Sequence, residues 1–573
     1  MTVDIEQFLI KEDFEGYEDP AKFETFKPKI EKYLKALNDG IKPEYSITLP
    51  KSIDELVKEQ FNPIEYLYKE KLLTEKEFEI TDTPGVELVK QMSEGKLTAV
   101  EVFKAFVKRG TICHQFTNCA MDLFPEEGLA QAEALDEYYK KNGKIIGPLH
   151  GLPISLKEQM DYKGHIRHAS YVSQIDHVCE EHGASAAILG KLGAVFYIRT
   201  TQPQTLMHLD SAQNITGYTR NPYNMSLSPG GSSSGEGSIS AFGGSIIGMG
   251  SDIGGSIRGP SAFSGSHGLR PTSKRIGLLG GLSSGGGQES VMAVAGPMCR
   301  SMDDIELCMK AYINDGKPWE FDQNCLRMPW REVPKPAAKD LTIAVMYDDG
   351  IVKPTPPMER GLKETVAKLE KAGVKIVEFK PIKTELAWET VKKMYNCDGN
   401  YMQKKLLAES GEPLFPLTRW ALNFGEGKTA LTVAENRQLN IIRDQLRNEY
   451  NRFLLENKID FVLSPSYNNV APKPNQVYNW SYTGLWNILD FPTMTIQTGL
   501  FQDPKVDKYD ESFKDYKFRS PVEELELTNY KPEEFVGAPI GLQLSGLRYT
   551  DEEVVAASKL IVEILDVDLT KIY

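Results

Sequence analysis

Charged and apolar positions alternate in short runs through the first 90 residues, as in IDELVKEQFNPIEYLYKEKLL, and the spacing predicts helices punctuated by turns. From Leu97 to Lys144 the pattern predicts two longer helices, the second Ala-rich and ending at Asn142-Gly143. Beyond them come short β-prone apolar runs: GAVFYIRT from Gly193, LTIAVMYDDG from Leu341 and IDFVLSPS from Ile459. ERGLKETVAKLEKAG reads as a helix stopped by glycine and followed by the strand VKIVEF. Strands alternating with helices predict an α/β layer fold around a mainly parallel or mixed sheet, with no fixed-period repeat.

One stretch breaks this pattern. PGGSSSGEGSISAFGGSIIGMGSDIGGSIRGPSAFSGSHGLRPT is rich in Gly and Ser, yet Ile239, Phe242, Ile246, Ile247, Met249, Ile253, Ile257 and Phe263 recur through it. A solvated linker has no use for so many buried-type side chains. Glycines here permit tight turns and close backbone approach, with the N–H groups of Ile253, Gly254, Gly255 and Ser256 converging as a nest for a phosphate or an oxyanion. The chain lacks a convincing dinucleotide or P-loop fingerprint, which disfavours a nucleotide.

Composition narrows the classes further. A 573-residue chain with 41% hydrophobic and 25% charged residues is long enough for a large α/β unit or several domains. The net charge of −14 comes without a basic stripe, so nucleic acid is an unexpected partner. Seven cysteines, sparse and odd in number, read as thiols in a reducing compartment. Cys113, His114 and Cys119 lie close together but lack a fourth ligand at zinc-site spacing, and they read as ordinary helix positions. The acidic N-terminal stretch MTVDIEQFLIKEDFEGYEDP does not resemble a signal peptide, and the sequence contains no long uncharged apolar run. A cytoplasmic protein with no membrane partner is the expectation.

Three elements carry a family resemblance: GLPISLKE with Lys157, PGGSSSGEG with Ser232, and SDIGGSIRGPSAF with Ser256. Together they resemble the amidase signature family of serine hydrolases, most nearly its fungal and yeast acetamidase branch. RTTQPQTLMHLDSAQNITGYTRNPYN, YTGLWNILDFPT and GAPIGLQLSG extend the similarity from about residue 90 onward. The resemblance implies an amidase signature fold, a large mixed β-sheet covered by α-helices on both faces. It divides the chain into a helical N-terminal region, residues 1–90, packed on a catalytic domain, residues 91–573. By the same resemblance Lys157 is the base, Ser232 the relay joined to Gly231 by a cis peptide, and Ser256 the nucleophile. The oxyanion hole is formed by Ile253, Gly254, Gly255 and Ser256, with Gly231, Asp252 and Arg258 as structural support. Ser234 stands where many members have glycine, a departure expected to have only a small local effect, and Ser232 is assigned as the first serine after the paired glycines.

The chemistry accounts for these residue types. A serine hydroxyl is a weak nucleophile, and none of the eight histidines has a triad context. A lysine serves as base only when neutral, so burial must lower its pKa from about 10.4; the apolar flank LPISL fits that demand. Neutral Lys157 would take a proton relayed by Ser232 and later return it to the leaving nitrogen, with no metal or organic cofactor. The expected reaction is hydrolysis of small linear or aryl amides to a carboxylic acid and ammonia through an acyl-enzyme. Leu206, Met207, Trp480 and Trp486 are the candidate walls of a narrow acyl pocket. Ethyl carbamate hydrolysis is an alternative, as is a noncatalytic or transamidation-complex subunit of the same fold. The substrate is a small molecule, a homodimer is compatible, and the lack of an N-terminal span disfavours a lipid amide.

Overall fold

The computed structural model describes residues 17–283, 285–424 and 430–571, so most of the N-terminal stretch read above for a leader lies outside the described residues. Among them, eleven strands form one sheet: β1 (Ala120–Leu123), β2 (Pro153–Lys157), β3 (Val195–Thr200), β4 (Ile247–Asp252), β5 (His267–Arg270), β6 (Val294–Cys299), β7 (Thr342–Val345), β8 (Lys375–Glu378), β9 (Phe461–Pro465), β10 (Thr493–Phe501) and β11 (Pro539–Ser545). Their spatial order is β1-β3-β2-β4-β6-β5-β10-β11-β9-β7-β8. Parallel pairs (β3/β2, β2/β4, β9/β7, β7/β8) occupy positions towards the two ends of the order, and antiparallel pairs fill its centre. This is the expected large mixed sheet flanked by helices.

The long periodic segments fold as their patterns predict. Helices run over Ala99–Thr117 and Pro125–Asn142, and the helix Pro356–Lys371 stops before Gly373, whose φ of +97° suits a residue without Cβ. In the N-terminal region the helices Lys27–Asp39, Ile53–Lys58, Pro63–Lys69, Glu75–Thr81 and Gly85–Ser93 are short, two of them opened by capping boxes at Ser52/Glu55 and Thr74/Glu77. Leu37, Leu56, Leu67 and Leu88 from these helices join the main hydrophobic core.

The glycine-rich stretch supplies what the periodicity missed. IGMGSD is the buried strand β4, and the fully buried helices Ser234–Phe242 and Arg258–Ser264 lie on either side of it in sequence. Strand glycines let the first helix press on the sheet: a Cβ at Gly248 would come 2.1 Å from Glu236 Oε2, and one at Gly250 would come 2.9 Å from Ser233 Oγ. β2 and β4 are parallel neighbours in the register Leu156↔Met249, so Lys157 and Ser251-Asp252 emerge at the same C-terminal edge of the sheet. That edge is where open α/β sheets gather ligands.

Candidate active site

Lys157, the last residue of β2, has no exposed surface. Its Nζ lies 2.6 Å from Ser232 Oγ and 2.9 Å from Ser251 Oγ. Burial lowers the Lys157 pKa to about 7, with the charges of Asp252 and Glu236 opposing part of the drop. The amine is therefore available as a base near neutral pH. Glu236, on the helix that follows Ser232, bridges Ser155 of β2 and Thr200 of β3 through their hydroxyls, and burial pushes its carboxyl up to about 8.

The three serines of the PGGSSSG run have three different partners. Ser232 meets Lys157, Ser233 exchanges hydrogen bonds with the backbone of Ser251, and the Ser234 hydroxyl donates to the Asp210 carbonyl at 3.3 Å. The Gly231–Ser232 peptide is cis. A Cβ on Gly231 would lie 2.1 Å from the Asp210 carbonyl oxygen and 2.6 Å from its nitrogen, so only glycine fits between this loop and Asp210.

Ser256 follows the two glycines and faces the same cavity as Ser232, Ser251, Asp252 and Ile253. The Ser256 carbonyl accepts the Ser233 N–H at 3.2 Å, tying the two serine-bearing loops together. The loop is organised from below by Asp252. Burial alone would raise this carboxyl, but a bidentate pair with Arg258, with both N···O distances 3.0 Å, holds it well below the usual carboxylate range. Arg258 continues to the Thr483 carbonyl and the Asn487 side chain, locking the loop to the helix Ser481–Leu489. These contacts explain why Asp252 and Arg258 flank the motif.

Gly255 departs from the expected set of oxyanion donors. Its N–H donates to Asp252 Oδ1 at 2.8 Å, so this donor faces the supporting carboxylate and not the cavity. The residue's own contribution is conformational, with φ of +128° and Thr483 Oγ1 only 2.4 Å from where a Cβ would stand. Ile253 and Ser256 of the same turn line the cavity. A Cβ at Gly254 would meet Tyr395 Oη at 2.7 Å and Trp480 Nε1 at 3.0 Å, so these two side chains press on the turn.

The cavity measures about 40 Å³, with Leu206, Met207, Gln159, Gln288, Tyr395 and Gln403 among its walls. Trp480 and Trp486 do not line it. Trp480 packs behind Gly254 among Trp388 and Phe424, and Trp486 is fully buried against Tyr450 and Phe491. Both lie on a helix or its N-cap whose residues are buried all round, so being aromatic within a conspicuous motif did not distinguish pocket from core. Sequence reasoning overlooked Ser251, Gln159 and Tyr395. The first two flank recognised positions, Ser251 opening the SDIGGS run and Gln159 following Lys157 by two residues, whereas Tyr395 carried no local signal.

These groups amount to a buried amine with a lowered pKa and the hydroxyls of Ser232, Ser251 and Ser256 around one cavity, an arrangement suited to acyl transfer. A sequence model of the family described as Amidase matches residues 101–555. An acetamidase of Emericella nidulans is 37% identical over 508 residues, covering 87% of this chain and 91% of its own. An acetamidase of Aspergillus oryzae is 36% identical over 509 residues, covering 87% and 92%. A solved structure titled "Fatty acid amide hydrolase" superposes with a TM-score of 0.96 at 61% identity, covering 99% of this chain and 100% of that one.

Proposed function

The chain belongs to the amidase family of signature-type serine hydrolases and acts on amide bonds, and we propose that it does so through Ser256, Ser232 and Lys157. The observation that carries this assignment is the buried Lys157 amine within 2.6 Å of Ser232 Oγ, on the wall of the cavity shared with Ser256. Ser256 Oγ attacks the amide carbon while its proton passes to Ser232, whose own proton passes to neutral Lys157. The carbonyl oxygen, now carrying the charge, accepts hydrogen bonds from the N–H groups of Ile253, Gly254 and Ser256, each worth about 3 kcal/mol in the transition state. The Lys157 ammonium returns a proton through Ser232 to the departing nitrogen, leaving an ester on Ser256. Water attacks that ester by the same relay, releasing the carboxylic acid and the free enzyme.

For the acyl group, the first reading is a fatty-acid amide. Its support is the 61% identity, over essentially the whole of both chains, to the structure titled "Fatty acid amide hydrolase". A second reading, a short linear or aryl amide, is supported by the small cavity behind Leu206 and Met207 and by the acetamidases at 36–37% identity. The two differ in what happens as methylenes are added, since each accommodated one contributes about 1–3 kcal/mol and each excluded one costs as much. The deciding measurement is kcat/KM for acetamide, hexanamide, oleamide, benzamide and ethyl carbamate on one enzyme preparation. A maximum at oleamide supports the first reading and a maximum at acetamide or benzamide the second. Dominant ethyl carbamate turnover makes the enzyme a carbamate hydrolase, and absence of turnover that depends on Ser256 overturns the serine assignment.

A further inference from the structure

Lys157 touches two hydroxyls, and only one of them leads to the nucleophile. An unprotonated amine has one lone pair, and catalysis requires that pair to face Ser232. Pairing with Ser251 instead would leave Ser232 receiving a proton from Lys157 when it needs to give one up. What distinguishes the two hydroxyls is the partner that Ser251 meets on its far side. Its hydroxyl donates to Gln159 Oε1 at 3.0 Å, while Lys157 Nζ donates to Ser251 Oγ at 2.9 Å.

We propose that Gln159 is a positioning residue that sets the direction of this chain and thereby turns the Lys157 lone pair towards Ser232. A carbonyl oxygen only accepts, so it commits the single Ser251 proton to Gln159. Ser251 then has only lone pairs to offer Lys157, and Lys157 spends an N–H there. If the Gln159 amide were turned over, its NH2 would donate to Ser251, the Ser251 proton would point at Lys157, and the base would be occupied on the wrong side.

The backbone of Gln159 is fixed beside the site. Its N–H donates to Gln202 Oε1 at 3.1 Å, and its carbonyl accepts the Leu282 N–H at 3.0 Å. Gln202 is itself held by the fully buried Glu158 carboxylate, which also accepts the backbone N–H groups of His168 and Ala169. The side chain lies on the cavity wall with Ser251 and Ser232, so it is placed beside the reacting groups while acting through Ser251.

The inference rests on the assignment of Lys157 as base, and the test separates the two. Wild type, Gln159→Leu, Ser251→Ala, the double variant and Gln159→Glu are assayed for kcat and KM from pH 5 to 10, with Ser256→Ala as reference. The groups facing Lys157 that shape its titration are Asp252 at the end of β4, itself paired with Arg258, and Glu236 on the helix after Ser232. Loss of one such hydrogen bond predicts that Gln159→Leu and Ser251→Ala each lower kcat by about tenfold with KM little changed. The double variant should be no slower than the slower single one, because both changes cut the same chain. Gln159→Glu keeps an oxygen towards Ser251, so its kcat at high pH should stay close to wild type while its acid limb moves upward from the added negative charge. A Gln159→Leu effect confined to KM, a multiplicative double variant, or a Gln159→Glu variant as slow as Gln159→Leu would overturn the proposal. Full activity in Ser256→Ala would instead overturn the assignment beneath it.

Discussion

Lys157 Nζ and Ser232 Oγ stand 2.6 Å apart at the C-terminal edge of the sheet, both almost wholly removed from water. One residue ends a strand and the other lies in a loop 75 positions later, yet the fold brings them into direct hydrogen-bond contact. Because burial brings the Lys157 pKa to about 7, the neutral base predominates above that pH and the ammonium below it. The expected profile of kcat/KM therefore rises from acid pH with a midpoint near 7 and levels off on the alkaline side. A midpoint near 4 or near 10, measured with a neutral amide substrate, would show that Lys157 is not the titrating base.

Replacing the three groups singly should give unequal losses. Ser256→Ala removes the proposed nucleophile and should lower kcat by about a thousandfold or more. A fluorophosphonate probe should label wild type and fail to label this variant. Ser232→Ala leaves nucleophile and base in place but out of register, so residual labelling of Ser256 at a much reduced rate is expected. Equal labelling rates in Ser232→Ala and wild type would remove Ser232 from the path.

The Asp252–Arg258 pair is a stability feature as much as a catalytic support. Both side chains are fully buried, and Arg258 makes its further bonds only to Thr483, Asn487 and Gln543 within the interior. Asp252→Ala leaves a buried guanidinium without its counter-charge and should cost about 3–5 kcal/mol of folding free energy. Denaturant unfolding would measure the loss, and a change below about 1 kcal/mol would mean that Arg258 had found another partner.

Gly254 offers a test of the oxyanion turn that changes no reacting group. In Gly254→Ala the new methyl carbon would sit 2.7 Å from Tyr395 Oη and 3.0 Å from Trp480 Nε1, so either the turn or these side chains must shift. Displacing an oxyanion donor lowers kcat by about a hundredfold or more. Adding Tyr395→Phe removes the nearer obstructing atom and should recover part of that loss, although it also removes the Tyr395 hydrogen bond to the Ile253 carbonyl. No recovery in the double variant would identify Trp480 as the obstructing wall.

The glycines and serines from Pro229 to Thr272 show how far sequence alone reaches. Their spacing revealed a backbone meant for close approach, and the apolar residues among them showed that it was buried, because neither property depends on what lies far away in the chain. The helices Ala99–Thr117 and Pro125–Asn142 were legible for the same reason: a helical face is written into local periodicity. β2, β4 and β6 were harder to see. PISLK, IGMGSD and VAGPMC are buried on both faces and carry glycine or proline where packed neighbours need room, so no alternation marks them.

Partnership was decided only by the fold. The identity of Ser232 as the hydroxyl on Lys157, in preference to Ser233 or Ser234, follows from where the helix Ser234–Phe242 leaves the loop. The arrival of Tyr395 and Trp480 against the turn depends on contacts across more than 100 residues, whereas the diversion of the Gly255 N–H to Asp252 and the packing of Trp486 on Phe491 are close in sequence yet carried no signal in it. The motifs determined which chemistry the chain carries, since that depends on residue types at fixed local spacing. Which donor, wall or relay each residue becomes was left to packing, because a hydrogen bond is made or lost over a few tenths of an ångström and only the assembled sheet sets distances that finely.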